Sequence, residues 1–108
     1  MATTKRERLP NRRLSETFDI ESAGLWYTCM VGGFRDGRIA EIFLGNYKTN
    51  SSADTNARDS AIVCSIALQC GANLDTIRKA LCRDSHGRPS GPLEVALDCI
   101  VGGKTTRF

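Results

Sequence analysis

With 108 residues, 41% of them hydrophobic and 25% charged, the chain has room for one domain with a real core, but not for a barrel enzyme with its own cofactor site. No apolar run approaches the roughly 20 residues of a membrane span and the N-terminus lacks the apolar centre of a secretory signal, so the expectation is a soluble, cytoplasmic protein with no membrane contact. The formal charge of +3 is uneven: residues 1–13 hold Lys5, Arg6, Arg8, Arg12 and Arg13 against Glu7, which leaves the remainder slightly acidic.

In chain order, residues 1–14 form a basic arm without helical or strand periodicity. The alternation from Thr17 to Glu21 predicts a half-buried strand near 15–21 with Phe18 and Ile20 inward. Leu25 to Val31, rich in aromatic and β-branched residues, predicts a second strand over 25–32, and Arg38 to Leu44 a third over 38–44. Asp36-Gly37 supplies the hairpin turn between them, and Gly32-Gly33 marks a bulge or bend just before it. The three make an antiparallel meander.

Ala53 to Cys70 predicts the central element, a long helix over 53–70 that starts at Ser52 or Asp54 and stops at Gly71. Ala57, Ala61, Cys64 and Leu68 recur at steps of four, three and four, and Ile62, Val63 and Ile66 widen the apolar surface, so the helix is expected to pack on more than one side. Small residues at 57, 60, 61, 64, 65 and 67 allow close approach of the sheet. Asn73 caps a short amphipathic helix carrying Leu74, Ile77 and Leu81. A polar loop over 83–89 leads to a third helix with Pro92 in its first turn and Leu93, Ala96, Leu97 and Ile100 on its apolar face, ended by Gly102-Gly103. The expected fold is α+β: a three-stranded antiparallel sheet covered by one long helix, with two shorter helices behind. The domain is expected over 15–103, followed by a tail over 104–108.

The residues that carry chemistry are few. Five cysteines, odd in number and without a CxxC pair, read as reduced core thiols. With one histidine, His86, and dispersed thiols, no metal site is expected. His86 beside Asp84 and Ser85 does not make a triad, because neighbours in one loop rarely reach the required geometry, and no catalytic residue is assigned. The loop before the long helix offers Lys48, Thr49, Ser51 and Ser52 as a candidate anion-binding segment, opposed by Asp54. Arg58 and Asp59 are expected to pair with other loops. Arg6, Arg8, Arg12 and Arg13 are candidate contacts to a partner or to nucleic acid.

Five segments in order, residues 24–32, 36–44, 67–71, 77–81 and 91–98, resemble the TSCPD domain, and the resemblance extends over residues 8–101. That module occurs at the C-terminal end of adenosylcobalamin-dependent ribonucleotide reductases and as small free-standing proteins. The chain departs from the family at Asn50-Ser-Ser-Ala53, where longer members carry Gly-Gly-Cys, and at Ser90-Gly-Pro-Leu93, where they carry Ser-Cys-Pro-Asp. Cys29 and Cys82 then stand as remnants of the family cysteines. The reductase's radical chemistry and its cobalamin belong to a large barrel of which this chain holds nothing. The resemblance therefore implies an accessory or regulatory module, binding no cofactor itself, whose partner is the reductase catalytic chain. The alternative is an independent binding module that uses the arm to hold nucleic acid or an acidic protein. The arm has no aromatic residue for base stacking, and its Leu9-Pro10 pair suits an ordered contact with the domain or with a second subunit of a homo-oligomer.

Overall fold

In the computed structural model, which describes residues 5–102, the alternating segment of the sequence becomes β1 (Ser15–Ser22), followed by β2 (Leu25–Gly33) and β3 (Ile39–Asn46). The strands form one antiparallel sheet in the order β1-β2-β3. Ile20 of β1, Tyr27, Cys29 and Val31 of β2, and Ile42 and Leu44 of β3 point to one side and are buried, with Phe18 packed against them. Gly37 takes a φ of 92° in the hairpin turn, and the register between β2 and β3 shifts at Gly32/Gly33, where the bulge was expected.

The three helices are α1 (Ser52–Gln69), α2 (Leu74–Ala80) and α3 (Pro92–Val101). The oxygen of Ser51 accepts from the Asp54 amide at 3.1 Å and caps α1, so the cap lies one residue before the expected start. At the other end Gly71, at φ 97°, lets the Ala72 amide reach Ala67 O and its own amide reach Leu68 O, which ends the helix in a Schellman turn. Asn73 caps α2 through the amides of Asp75 and Thr76. All four expected core residues of α3, Leu93, Ala96, Leu97 and Ile100, are buried. α1 packs along β3 and α3 along β1, so α3 shares the covering layer directly instead of lying behind α1.

α1 does more than cover the sheet. Strand β3 is an edge, and the backbone groups it turns away from β2 would be unpaired. Ser65 Oγ accepts from the Ile42 amide at 2.8 Å and donates to the Ile42 carbonyl at 2.9 Å. Gln69 Nε2 donates to the Ala40 carbonyl at 3.0 Å, and Asp54 Oδ1 accepts from the Asn46 amide at 2.9 Å. All three side chains are buried. At about 100° per residue, positions 54, 65 and 69 fall on one line of the helix, beside the stripe of Ala57, Ala61, Cys64 and Leu68 that enters the core. The helix thus sits on the sheet edge like a fourth strand that bonds through side chains.

The expectation that α1 packs on more than one side is not met. Ile62, Val63 and Ile66 are 48%, 67% and 40% exposed. They lie beyond the polar line, on the side turned away from the inner core, where Ile62 borders the outer side of the sheet.

Replacing Ser65 by alanine keeps the packing but leaves the Ile42 amide and carbonyl buried without partners. The expected loss is about 1–3 kcal/mol in urea denaturation. Ser60→Ala, which removes only a bond to the carbonyl of Ala57 in its own helix, should be nearly neutral by the same measurement.

Candidate functional site

The basic arm is laid across one end of the domain. The Glu7 amide donates to Gln69 O at 2.7 Å and Arg6 Nε to Gln69 Oε1 at 2.6 Å, so the residue that pairs the edge of β3 also holds the arm. Arg13 makes a two-pronged contact with Glu41 of β3, at 2.7 and 3.2 Å, and donates a third bond to Pro10 O. Glu41 is 6% exposed. Its carboxylate lies against Gly32, where a Cβ would stand 2.5 Å from Oε1 and 2.9 Å from Cγ, so only glycine leaves room for this ion pair. The pairing raises the pKa of Arg13 further above its ordinary value. Arg38, in the hairpin, bonds Glu7 and Asp36 and rests 4.5 Å from the centre of the Phe34 ring.

Of the four arginines singled out in the arm, then, the structure spends Arg6 and Arg13 on the domain itself. Arg8 and Arg12 are exposed and make no ion pair among the described residues. Leu9 and Pro10 are half-buried.

The loop from Gly45 to Ser52 keeps Lys48, Thr49, Ser51 and Ser52 together before α1, but its amides turn onto Asp54. The two oxygens of that carboxylate accept from the amides of Asn46 and Asn50, at 2.9 and 3.1 Å, and Ser51 Oγ donates to Lys48 O at 2.7 Å. Asp54 thus occupies the place an external anion would take. The two amides, aided by Arg58, hold its pKa below the ordinary aspartate value. Arg58 pairs with Asp54 one turn away and not with another loop.

His86 lies on an exposed turn. Asp84 Oδ1 accepts from the amides of His86 and Arg88, a turn-forming arrangement that directs the carboxylate at backbone and not at the imidazole. Arg83 and Arg78 converge on Asp98 of α3, which ties the turn and α2 to the last helix and lowers the Asp98 pKa.

Cys29 and Cys64 are buried, and burial pushes their thiols up to about 12 and about 11. Such thiols are poor nucleophiles at neutral pH. Cys70 and Cys99 are partly buried, while Cys82 is exposed after α2, so the core-thiol expectation fails at that position: the short helix ends before it and turns the side chain outward. Among the described residues no group of three His, Cys, Asp or Glu side chains is placed to hold a metal ion. No helix among them is long and apolar enough to cross a membrane.

Apolar side chains are also exposed on the outer side of the sheet. Trp26, Phe43 and Tyr47 are 51%, 44% and 62% exposed; Met30 pairs with Phe43, and Thr28 and Gly45 separate that pair from Trp26 and Tyr47. A cleft lined by Thr28, Met30, Phe43, Gly45, Arg58 and Ile62 joins this face to the uncovered side of α1. Sequence reading placed the strands but did not mark this face. The available signal was that Trp26, Met30 and Phe43 alternate out of phase with the buried Tyr27, Cys29, Val31, Ile42 and Leu44.

The fold and its surfaces define a small α+β module with a docked basic arm and with apolar side chains exposed on the outer side of its sheet. Two curated proteins are similar to it. The vitamin B12-dependent ribonucleotide reductase of Agrobacterium fabrum is 37% identical over 71 residues, which are 66% of this chain and 6% of that protein. The enzyme of the same name from Bradyrhizobium diazoefficiens is 30% identical over 90 residues, 83% of this chain and 7% of that protein. The chain thus spans less than a tenth of the length of these relatives. No protein-family model and no solved structure matches it.

Two outcomes test the site as described. Arg13→Ala and Glu41→Gln should each lower the melting temperature by several degrees, and the double variant should fall no further than the worse single one, because both remove one interaction. Asp54 supplies a pH dependence: its lowered pKa gives stability that is complete above the ordinary carboxylate range and lost as pH falls through the folded-state value. Between about pH 7 and about pH 3, the melting temperature of the native protein should therefore fall more than that of Asp54→Asn.

Proposed function

We propose that this chain is a TSCPD-type accessory or regulatory module of a cobalamin-dependent ribonucleotide reductase, acting in deoxyribonucleotide synthesis through the reductase catalytic chain. The similarity of most of the chain to short segments of two vitamin B12-dependent ribonucleotide reductases carries this reading. In those proteins the matching segment is covalently part of a much longer polypeptide. The outer side of the sheet supports the same reading, since Met30, Phe43 and Ile62 line one cleft there and Trp26 is exposed on the same side, apolar groups of the kind that mark protein contacts.

The residues present do not fit a corrinoid. His86, the only histidine, sits on an exposed turn held by Asp84, away from any lining of the described clefts. Cobalamin and the radical chemistry are assigned to the reductase. What this chain contributes is a rigid, helix-braced sheet face and an arm held in fixed register beside it.

Trp26 is the only tryptophan, which makes the test direct. With 5-fluorotryptophan incorporated, titration with a cobalamin-dependent reductase lacking the matching segment should shift and broaden the fluorine resonance. Phe43→Ser and Ile62→Ser should weaken binding by about tenfold or more, as expected for anchors in an apolar contact. An unchanged resonance with no association by sedimentation would remove the reading.

A further inference from the structure

Where the arm crosses the β2–β3 hairpin it encloses a cleft of about 340 Å³, lined by Pro10, Arg12, Arg13 and Leu14 on one side and Gly33, Phe34, Arg35 and Gly37 on the other. That volume is at the lower end of small-molecule sites, roughly 300–1,000 Å³. Three arginines and no carboxylate line it. Arg13 is neutralised by Glu41. Arg12 and Arg35, one from each wall, make no ion pair and no side-chain hydrogen bond among the described residues. Arg35 also borders a second cleft, of about 350 Å³, where Arg8 lies across from it beside Pro10.

We propose that the cleft between the arm and the hairpin binds the phosphate of a small phosphorylated molecule, with Arg12 and Arg35 as the contacting groups. This proposal is independent of the reductase reading. The physical case rests on the division of labour among the cations. Three carboxylates at this corner are committed, Glu41 to Arg13 and both Glu7 and Asp36 to Arg38, and Glu16, three residues beyond Arg13, does not line the cleft. The two arginines left over line the same cleft as Gly33 and the buried Phe34. Two guanidinium groups lining one cleft are favourably bridged by an anion, and a phosphate accepts the paired N–H donors of each. Leu14, 67% exposed at the lip, and Pro10 offer apolar contact to the organic part of the ligand.

The same features argue against a nucleic-acid strand. A strand needs a track of cations and open aromatic faces for its bases. Here the phosphate donors number two in a short cleft, and the one aromatic ring is 7% exposed with Arg38 against its face.

The test is titration calorimetry of the full chain with pyrophosphate, with ATP and with a single-stranded oligonucleotide at one fixed, near-physiological salt concentration. Saturable one-to-one binding of pyrophosphate and ATP is expected. Arg12→Ala and Arg35→Ala should each weaken it about tenfold, the loss of a charge-assisted contact. Arg58→Ala, an exposed cation outside the cleft, should leave it unchanged. Lysine at either position should restore only part of the affinity, since it keeps the charge and loses the fork. Circular dichroism of the variants should match the native protein, because both side chains are exposed. The proposal is overturned by any of three results: no saturable binding of pyrophosphate or ATP at millimolar concentration, equal weakening by Arg58→Ala, or binding of the oligonucleotide alone.

Discussion

The structure depends on how one helix satisfies the open edge of a three-stranded sheet. A sheet this narrow has two edges and one central strand, and each edge exposes backbone donors and acceptors that invite pairing with another chain. Along β3 those groups are met by Ser65, Gln69 and Asp54, all on one line of α1. The bonds fix the helix in register with the strand as well as in contact with it. That fixed register in turn places Ala57, Ala61, Cys64 and Leu68 against the inner core, where α3 completes the layer over β1. Small side chains in this stripe are required because the helix must approach close enough for a serine hydroxyl to reach backbone. The same placement leaves Ile62 and Ile66 continuous with the outer side of the sheet, so the edge closure and the open apolar face have one cause.

Charges are distributed by role. The pairs that organise the arm are local to one corner, where Arg13 meets a buried carboxylate and Arg38 links Glu7, Asp36 and the Phe34 ring. The second network, Arg78 and Arg83 on Asp98, joins α2 and the 83–89 turn to α3. Exposed pairs such as Lys79 with Asp75 contribute little to stability at ordinary salt. The half-buried ones matter through geometry, because each joins segments far apart in sequence and so limits how the chain can rearrange.

Element type and order were legible in the sequence because each element carried its own local signal: alternation for the strands, Asp36-Gly37 for the hairpin, Asn73 and Pro92 for the short helices, Gly71 for the stop of α1. The bulge could be placed for the same reason, since two adjacent glycines in a strand rarely serve ordinary pairing. The packing of α1 was misread because composition does not say which of two apolar stripes finds a partner. Ile62, Val63 and Ile66 look like core on a helical wheel, yet among the described residues they stay 40–67% exposed. Ser65 was read only as a small spacer and Gln69 was given no role, although polar positions at spacings of eleven and four on one helix face with Asp54 point to a strand edge or another backbone. Glu41 was hidden for a different reason. It reads as the polar step of an alternating strand, and its burial comes from an arm residue 28 positions away, which no local pattern encodes. The arm arginines were grouped by charge alone, and only tertiary contacts separate Arg6 and Arg13, which hold the arm, from Arg8 and Arg12, which pair with no carboxylate among the described residues.

Gly32 has a consequence for how the molecule can vary. The inner core does not touch the space above this residue, which is filled by the folded-over side chain of Glu41. Any larger residue would therefore displace the carboxylate that anchors Arg13 while leaving the sheet, the helix-bound edge and the core layer in place. Attachment of the arm is in this sense a separable trait: one methyl group at a single position can unfasten it, at the stability cost of the Arg13–Glu41 pair. The arm, with whatever binds beside it, is free to be lost or regained among descendants of this sequence without each step passing through an unfolded protein.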